Sequence, residues 1–298
     1  MKQIITDILL NGRIKTWLEY AEKYNIKKGY PNNIRAKAAN DIWRAYIKDK
    51  KLNNILVFDV ETAPLKGYVW NLYRDTVGRG DKLIDKEYIV LTWSAKWLYT
   101  NKMYNRCLTK EEIENKNDSR IVKDIWNLLN KAEILIAHNL IGFDEKVLKA
   151  RFLKHRLPFP KPYKCIDTLK VVKKHFKLPS YALNYVCDFM GLGTKVDTGG
   201  FSLWRKFLES NQEAMDKMLH YNDEDVYLLE RLYFTLRYVV PKHPNVNKSN
   251  LVSQCPTCGS SDLEESGIYC PTTKEYELYS CNTCNAKSYL TKKTLKCL

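Results

Sequence analysis

Apolar positions along this chain recur at two spacings, and each change of spacing marks an element. In the first 50 residues the spacing is helical: Trp17, Tyr20, Ala21 and Tyr24 form one stripe, and Ile34, Ala38, Ile42 and Tyr46 a second. Thr16 and Glu19 stand as a capping box before the first stripe, and Gly29 and Pro31 separate the two. Ile55–Phe58 is then an unbroken apolar run, the pattern of a strand buried on both faces. Two β-rich stretches follow at 88–99 and 102–108, close enough to form a hairpin. Asn117-Asp118-Ser119 offers an N-cap to a helix carrying Ile121, Ile125, Leu128 and Leu129. A second buried strand is expected at Ile134–Ala137, a helix after Phe143, a strand near 165–168, and helices as far as Arg237. Three strands followed by alternating strand and helix predict an α/β protein with a mixed sheet flanked by helices.

The same pattern divides the chain. Residues 1–50 form a small helical module with 11 Lys/Arg against 5 Asp/Glu. Two short basic helices joined by a glycine-containing turn fit a helix-turn-helix module, or equally a helical hairpin that packs on the next domain. Residues 52–240 form the main domain. Residues 241–254, with two prolines and mostly polar side chains, read as a linker. Residues 255–298 form a separate small module.

Composition adds a partner class. The net charge is +15, which concentrates polyanions and makes nucleic acid the first partner to consider; a solvated lysine-rich surface is the bland alternative. No apolar stretch approaches the length of a bilayer span, so no membrane role is expected. The N-terminal stretch has too short an apolar run for a signal peptide, which makes the cytoplasm the default location, the host cytoplasm for a viral chain.

Six of the nine cysteines lie in the last 44 residues. Cys255-x-x-Cys258 and Cys281-x-x-Cys284 are two knuckles separated by 22 residues, a spacing suited to one structural, tetrahedral Zn²⁺. Cys270 and Cys297 complete no second site. The module is similar to a zinc ribbon. Gripping nucleic acid through Lys274, Lys287, Lys292 and Lys293, docking a protein and plain stabilisation are all open to it.

Chemistry concentrates in three acidic frames. Asp59 and Glu61 end the first apolar run two residues apart, so both point to one side of a strand and can share a cation. Asn139-x-x-x-Phe143-Asp144 lies between the second buried strand and a helix. Tyr221 and Asp225 sit one turn apart on a long helix. Asp167 is expected to cap the helix that follows it, and Asp223 and Glu224 to be ordinary surface acids.

With these three motifs in this order, residues 52–240 resemble the DEDDy branch of the DEDD 3′–5′ exonucleases, which have a ribonuclease H-like fold. The resemblance implies two Mg²⁺ or Mn²⁺ ions: Asp59, Glu61 and Asp225 would hold the first, Asp59 and Asp144 the second. It implies that Tyr221 orients the attacking water, and that Asn139, Thr62 and Phe143 meet the substrate. Lys195 and Arg205 could contact phosphates. The expected activity is hydrolysis at single-stranded or frayed DNA 3′ ends, releasing nucleoside 5′-monophosphates in replication, proofreading or repair. A DNA polymerase or another replication protein is the expected protein partner. An exoribonuclease and a non-catalytic nucleic-acid-binding module are the alternatives. A stand-alone exonuclease domain with small appendages also resembles a bacteriophage replication protein.

Overall fold

A computed structural model describes residues 2–11, 17–50, 52–67, 84–86, 88–194, 199–248, 253–291 and 294–298. Thr16 of the expected capping box and Lys195, Lys292 and Lys293 lie outside the described residues. The chain begins with helices α1 (Lys2–Asn11), α2 (Trp17–Lys23) and α3 (Asn32–Lys50). Ile4, Ile8 and Leu9 of α1, Tyr20 and Ala21 of α2, and Ala39 and Trp43 of α3 are buried in the same apolar core as the central sheet. Trp43 meets Tyr99 of the main domain with ring centroids 5.6 Å apart. These helices therefore pack on the next domain.

The main domain contains β1 (Ile55–Thr62), a short ladder of β2 (Lys66–Gly67) with β3 (Ile84–Lys86), then β4 (Val90–Trp97) and β5 (Met103–Cys107). Helices α4 (Lys110–Glu114) and α5 (Ser119–Leu129) lead to β6 (Ile134–Ala137), α6 (Asp144–Lys154), β7 (Lys164–Asp167) and α7 (Thr168–His175). Helices α8 (Leu183–Phe189), α9 (Phe201–Leu208) and α10 (Gln212–Leu236) follow, and a 3-10 turn at Arg237–Val239 ends the series. The five-stranded sheet has the order β5-β4-β1-β6-β7. β1 runs antiparallel to β4 and parallel to β6, so the sheet is mixed and β1 is central.

Strand alternation gives the two faces of the sheet different chemistry. In the β1–β4 register Val57, Asp59 and Glu61 stand opposite Lys96, Ser94 and Thr92, so these side chains share one face. Leu56, Phe58, Val60, Trp93 and Ala95 line the other face and are buried. On that apolar face the Trp93 indole N–H donates to the Ile121 carbonyl of α5 at 2.7 Å. The polar face is covered by α10, whose 25 residues form the longest helix among those described. Its N-cap Asn211 accepts from the Ala214 N–H, and its buried stripe runs through Met218, Asp225, Leu229 and Leu236.

α10 docks on this polar face through matched polar groups. Asn222 donates to Asp59 at 2.7 Å and accepts from the Thr92 hydroxyl at 3.3 Å. Asp223 accepts from Ser94 at 2.5 Å and from Asn105 at 2.9 Å, so it ties α10 to β4 and β5 and is not the plain surface acid expected of it. Ser94 and Asn105 are register partners, which is why one carboxylate reaches both. Further along, fully buried Lys96 pairs with fully buried Glu230.

On the apolar side α5 and α6 are tied by a second buried group. Asp118 accepts from Arg151 at 2.8 and 2.6 Å, lies 2.5 Å from His155, and accepts from the Val90 N–H at 2.9 Å. It stands at the N-cap position of α5, but its side chain makes no cap bond there. Arg151 on α6 takes it instead.

The described part of the segment read as a linker makes contacts on both sides. Val246 is fully buried, its N–H donates to Pro256 at 2.8 Å, and its carbonyl accepts from Asn53 at 2.7 Å. The C-terminal module is a four-stranded antiparallel sheet of β8 (Leu263–Tyr269), β9 (Tyr276–Cys281), β10 (Lys287–Leu290) and β11 (Leu295–Cys297), with a buried cysteine cluster at its base.

Candidate active site

The C-terminal ends of parallel β1, β6 and β7 converge on one edge of the sheet, a common location for ligands in open α/β folds. Asp59 and Glu61 arrive on β1, just before an irregularity in pairing between Glu61 and Thr62. Asp225 arrives from α10 and is 1% exposed. Carboxylate oxygens of Asp59, Glu61 and Asp225 all lie within 4.8 Å of one another. At an effective dielectric constant of about 20, two unit charges at that separation repel by about 3.5 kcal/mol. Three such pairs suit a site that takes up cations.

Asp144 is the first residue of α6 and is 2% exposed. It is not part of the 4.8 Å group. It is nonetheless near: burial first, and the Asp59 charge second, push its carboxyl well above the ordinary carboxylate range, with Asp167 and Glu61 adding to the effect. A divalent cation between Asp59 and Asp144 would neutralise that repulsion, so the donor set fits the expected second metal.

The loop before Asp144 is shaped by two residues. Asn139 takes a left-handed φ of 78°, which asparagine tolerates, and its carbonyl accepts from Gly142 at 3.1 Å and Phe143 at 2.8 Å. A Cβ on Gly142 would fall 2.3 Å from the Asn139 Oδ1, so any larger residue there would displace the Asn139 amide. Asp167 caps α7 by accepting from Lys170 at 3.3 Å, as expected, and also accepts from the Asn139 and Ile141 N–H groups at 3.1 Å. The ends of β6 and β7 are locked together in this way.

Tyr221 is buried one turn before Asp225 and makes an edge contact with Trp204 at 6.4 Å between centroids. Thr62 is half-buried at the end of β1, and Phe143 is 39% exposed beside the acids. A cavity of about 510 Å³ opens past the end of β1, lined by Ala63, Leu65, Ile89, Phe201 and Arg205. The sequence reading missed Asn222, which holds Asp59 from α10. The available signal was its i, i+3 spacing to Asp225, which places an amide on the acid-bearing face of the helix.

The C-terminal cysteines form a second candidate metal centre. Cys255 and Cys284 sulfurs lie 3.7 Å apart, as do those of Cys258 and Cys281. Four Zn–S bonds of about 2.3 Å in a tetrahedron place sulfurs about 3.8 Å apart, so this cluster fits zinc. Each knuckle turns on a left-handed residue, Gly259 with φ 80° and Asn285 with φ 59°. Cys270 is exposed and Cys297 half-buried, and neither joins the cluster. Among the described residues no helix is long and apolar enough to cross a membrane.

A mixed sheet with carboxylates at the edge of its central strand, closed by a long helix that brings another, defines an α/β protein suited to divalent-cation chemistry. A family model described as the RNase H superfamily matches residues 86–237, just over half of the chain, and the chain belongs to that superfamily. The match takes in Asp144, Tyr221 and Asp225 and begins after Asp59 and Glu61. Membership supports a nuclease, and with it nucleic-acid binding and divalent metals. Among solved structures, the family B DNA polymerase from the hyperthermophilic archaeon Pyrobaculum calidifontis is similar at 14% identity and a TM-score of 0.48. That similarity covers 63% of this chain and 25% of the polymerase chain. A search of curated proteins returned no match.

Proposed function

We propose that the protein is a DEDDy-type 3′–5′ exonuclease that hydrolyses DNA from its 3′ ends and releases nucleoside 5′-monophosphates. The observation that carries this reading is the meeting of Asp59, Glu61 and Asp225 within 4.8 Å, with Asp144 buried nearby and Tyr221 one turn along α10. Two Mg²⁺ or Mn²⁺ ions, when bound, supply Lewis-acid stabilisation of the attacking and leaving oxygens. Asp59, Glu61 and Asp225 would hold one ion, and Asp59 with Asp144 would hold the other. Asn222 fixes the Asp59 carboxylate, and the Tyr221 hydroxyl orients the attacking water by hydrogen bonding.

Substrate contacts follow from what surrounds the acids. Exposed Phe143 and Ile141 offer apolar surface on which a terminal base can stack. The cavity beyond Thr62 combines apolar walls with the Arg205 cation, a pairing suited to a base and its phosphate. Asn139 shapes the loop that presents Phe143. In this reading residues 52–240 are the exonuclease domain, residues 1–50 are a helical appendage, a zinc ribbon (255–298) follows through the linker 241–254, and a replication polymerase is the candidate protein partner.

Incubation of 3′-labelled DNA and RNA oligonucleotides with Mg²⁺, comparing wild type with Asp59→Ala, tests the proposal. Mononucleotide release from DNA that disappears in the variant is the expected result. Equal release by both proteins would sink it, and cleavage confined to RNA would overturn the choice of polymer.

A further inference from the structure

Arg237 follows the last residue of α10, and its side chain is buried at 1% exposure. Its Nε, Nη1 and Nη2 atoms all lack a hydrogen-bond partner among the described residues. Its guanidinium carbon lies 5.0 Å from the centre of the Phe234 ring. A guanidinium keeps its charge at any physiological pH and carries five donors. Buried with neither counter-ion nor acceptor among the described residues, it costs the fold several kcal/mol. A nearby negative charge is therefore required.

The groups that act on Arg237 narrow the choice. Burial opposes its charge, while Tyr99, Cys258, Cys284 and Tyr233 favour it. Burial pushes the Tyr99 and Tyr233 phenols well above their ordinary range, so both stay neutral. His243, which also senses Arg237, is pushed down to about 4 by burial and carries no charge. Glu230 is engaged by Lys96. Cys258 and Cys284 remain, and they belong to the four-cysteine cluster. Four thiolates around one Zn²⁺ form a net dianion.

Packing fixes that cluster against the same end of the main domain. The Tyr46 hydroxyl of α3 donates to the Gly259 carbonyl at 3.1 Å, and Asn247 donates to the Cys255 carbonyl at 3.0 Å. A Cβ on Gly259 would lie 2.8 Å from Leu52, so the first knuckle sits flush on the start of the main domain. Asp225 and Arg237 are twelve residues apart, about 18 Å at the rise of an α-helix. The cysteine centre thus lies at the C-terminal end of α10, away from the acids.

We propose that Arg237 is the buried counter-cation of the zinc-loaded cysteine cluster, so that zinc binding by the C-terminal module and the docking of α10 in the nuclease core are one linked equilibrium. Arg237 is a positioning residue in this scheme. Linkage requires reciprocity: the charge that strengthens zinc binding is itself stabilised by zinc. The inference depends on the fit of the cysteines to zinc and not on the substrate.

Thermal unfolding and zinc affinity of the full chain, for wild type and Arg237→Met, test this with Zn²⁺ bound and withdrawn. With zinc bound, Arg237→Met should lower Tm; with zinc withdrawn, it should leave Tm unchanged or raise it. Its zinc affinity should fall by about 10–100-fold, the range for a lost outer-shell partner. Arg237→Lys, which keeps the charge, should retain more of the affinity. Equal Tm shifts with and without zinc, or unchanged affinity in Arg237→Met, overturn the proposal. Hydrogen exchange on the wild type decides the matter without any variant. Zinc withdrawal should expose the amides of 226–236 together with those of the cysteine module, and opening of the module alone refutes the linkage.

Discussion

Replacing Asn222 with leucine removes a residue that bridges α10 to the Asp59 carboxylate. Asn222 is fully buried, and leucine has the same branched shape and number of side-chain heavy atoms, so no cavity is left. Two bonds are lost. The 2.7 Å donation to Asp59 engages a charged acceptor and contributes about 1.5–3 kcal/mol. The 3.3 Å contact with the Thr92 hydroxyl is long and neutral, contributing about 0.5–1 kcal/mol. The first loss bears on metal, because Asp59 is the carboxylate shared by both proposed ions. At about 1.4 kcal/mol per decade, it corresponds to a fall in Mg²⁺ affinity of roughly 10- to 100-fold.

The assay is mononucleotide release from 3′-labelled oligonucleotide across a Mg²⁺ titration, with Mn²⁺ binding by calorimetry as a readout independent of turnover. Asn222→Leu should shift the half-saturating Mg²⁺ concentration upward by that factor while the rate at saturating Mg²⁺ stays within several-fold of wild type. Thr92→Val, which leaves the donation to Asp59 intact, should shift it little. A folded Asn222→Leu protein with an unchanged Mg²⁺ midpoint, or with an unchanged midpoint and a collapsed plateau, would refute the reasoning.

Two further outcomes are expected. Lys96→Met strands the buried Glu230 carboxylate at a cost of about 3–5 kcal/mol, whereas the double variant with Glu230→Met should recover most of it. With about 0.6 kcal/mol/K of unfolding entropy for 298 residues, the single change lowers Tm by about 5–8 °C in thermal unfolding. Burial already raises the Glu230 carboxyl, and an acid whose folded pKa lies above its unfolded value destabilises the fold as pH rises past the unfolded value. The Lys96→Met deficit should therefore be smaller at pH 5.5 than at pH 7.5, and an equal deficit at both would count against this account. Tyr221→Phe keeps the ring packed against Trp204 and removes only the hydroxyl, so single-turnover cleavage should slow by about 10²-fold or more with Mg²⁺ affinity unchanged.

What the sequence made legible is what short-range periodicity encodes. Ile55–Phe58 reads as a buried strand because every residue is apolar, and Asp59 and Glu61 read as a pair because strand side chains alternate. Tyr221 and Asp225 read as one helical face because they are four apart. Asn222 was hidden for the opposite reason: its partner Asp59 is 163 residues away, and one asparagine in a polar stretch carries no period. Asp223 was misjudged because a helix on an apolar sheet keeps such a residue at the surface, whereas here Ser94 and Asn105 of the sheet offer it donors. Lys96 likewise breaks no strand pattern, since alternation assigns it a face without saying that Glu230 waits on the covering helix.

Domain boundaries drawn from composition face the same limit. Hydrophobic patterning stops near residue 240 and cysteine spacing begins at 255, so the sequence places a linker between two units. Charge closes elsewhere. The long helix of the main domain ends in a buried guanidinium with no acceptor among the described residues, and in the proposed linkage the cysteine cluster carries its compensating charge. A protein cut after residue 250 keeps every carboxylate of the active site and loses the counter-charge of the helix that carries Asp225. Its loss of stability should consequently exceed what the removed contacts contribute, and Arg237→Met in the truncated chain should restore part of it. Thermal unfolding of the two truncated proteins measures the difference, and an Arg237→Met change that gives no gain there would show that the helix end is neutralised from within the main domain.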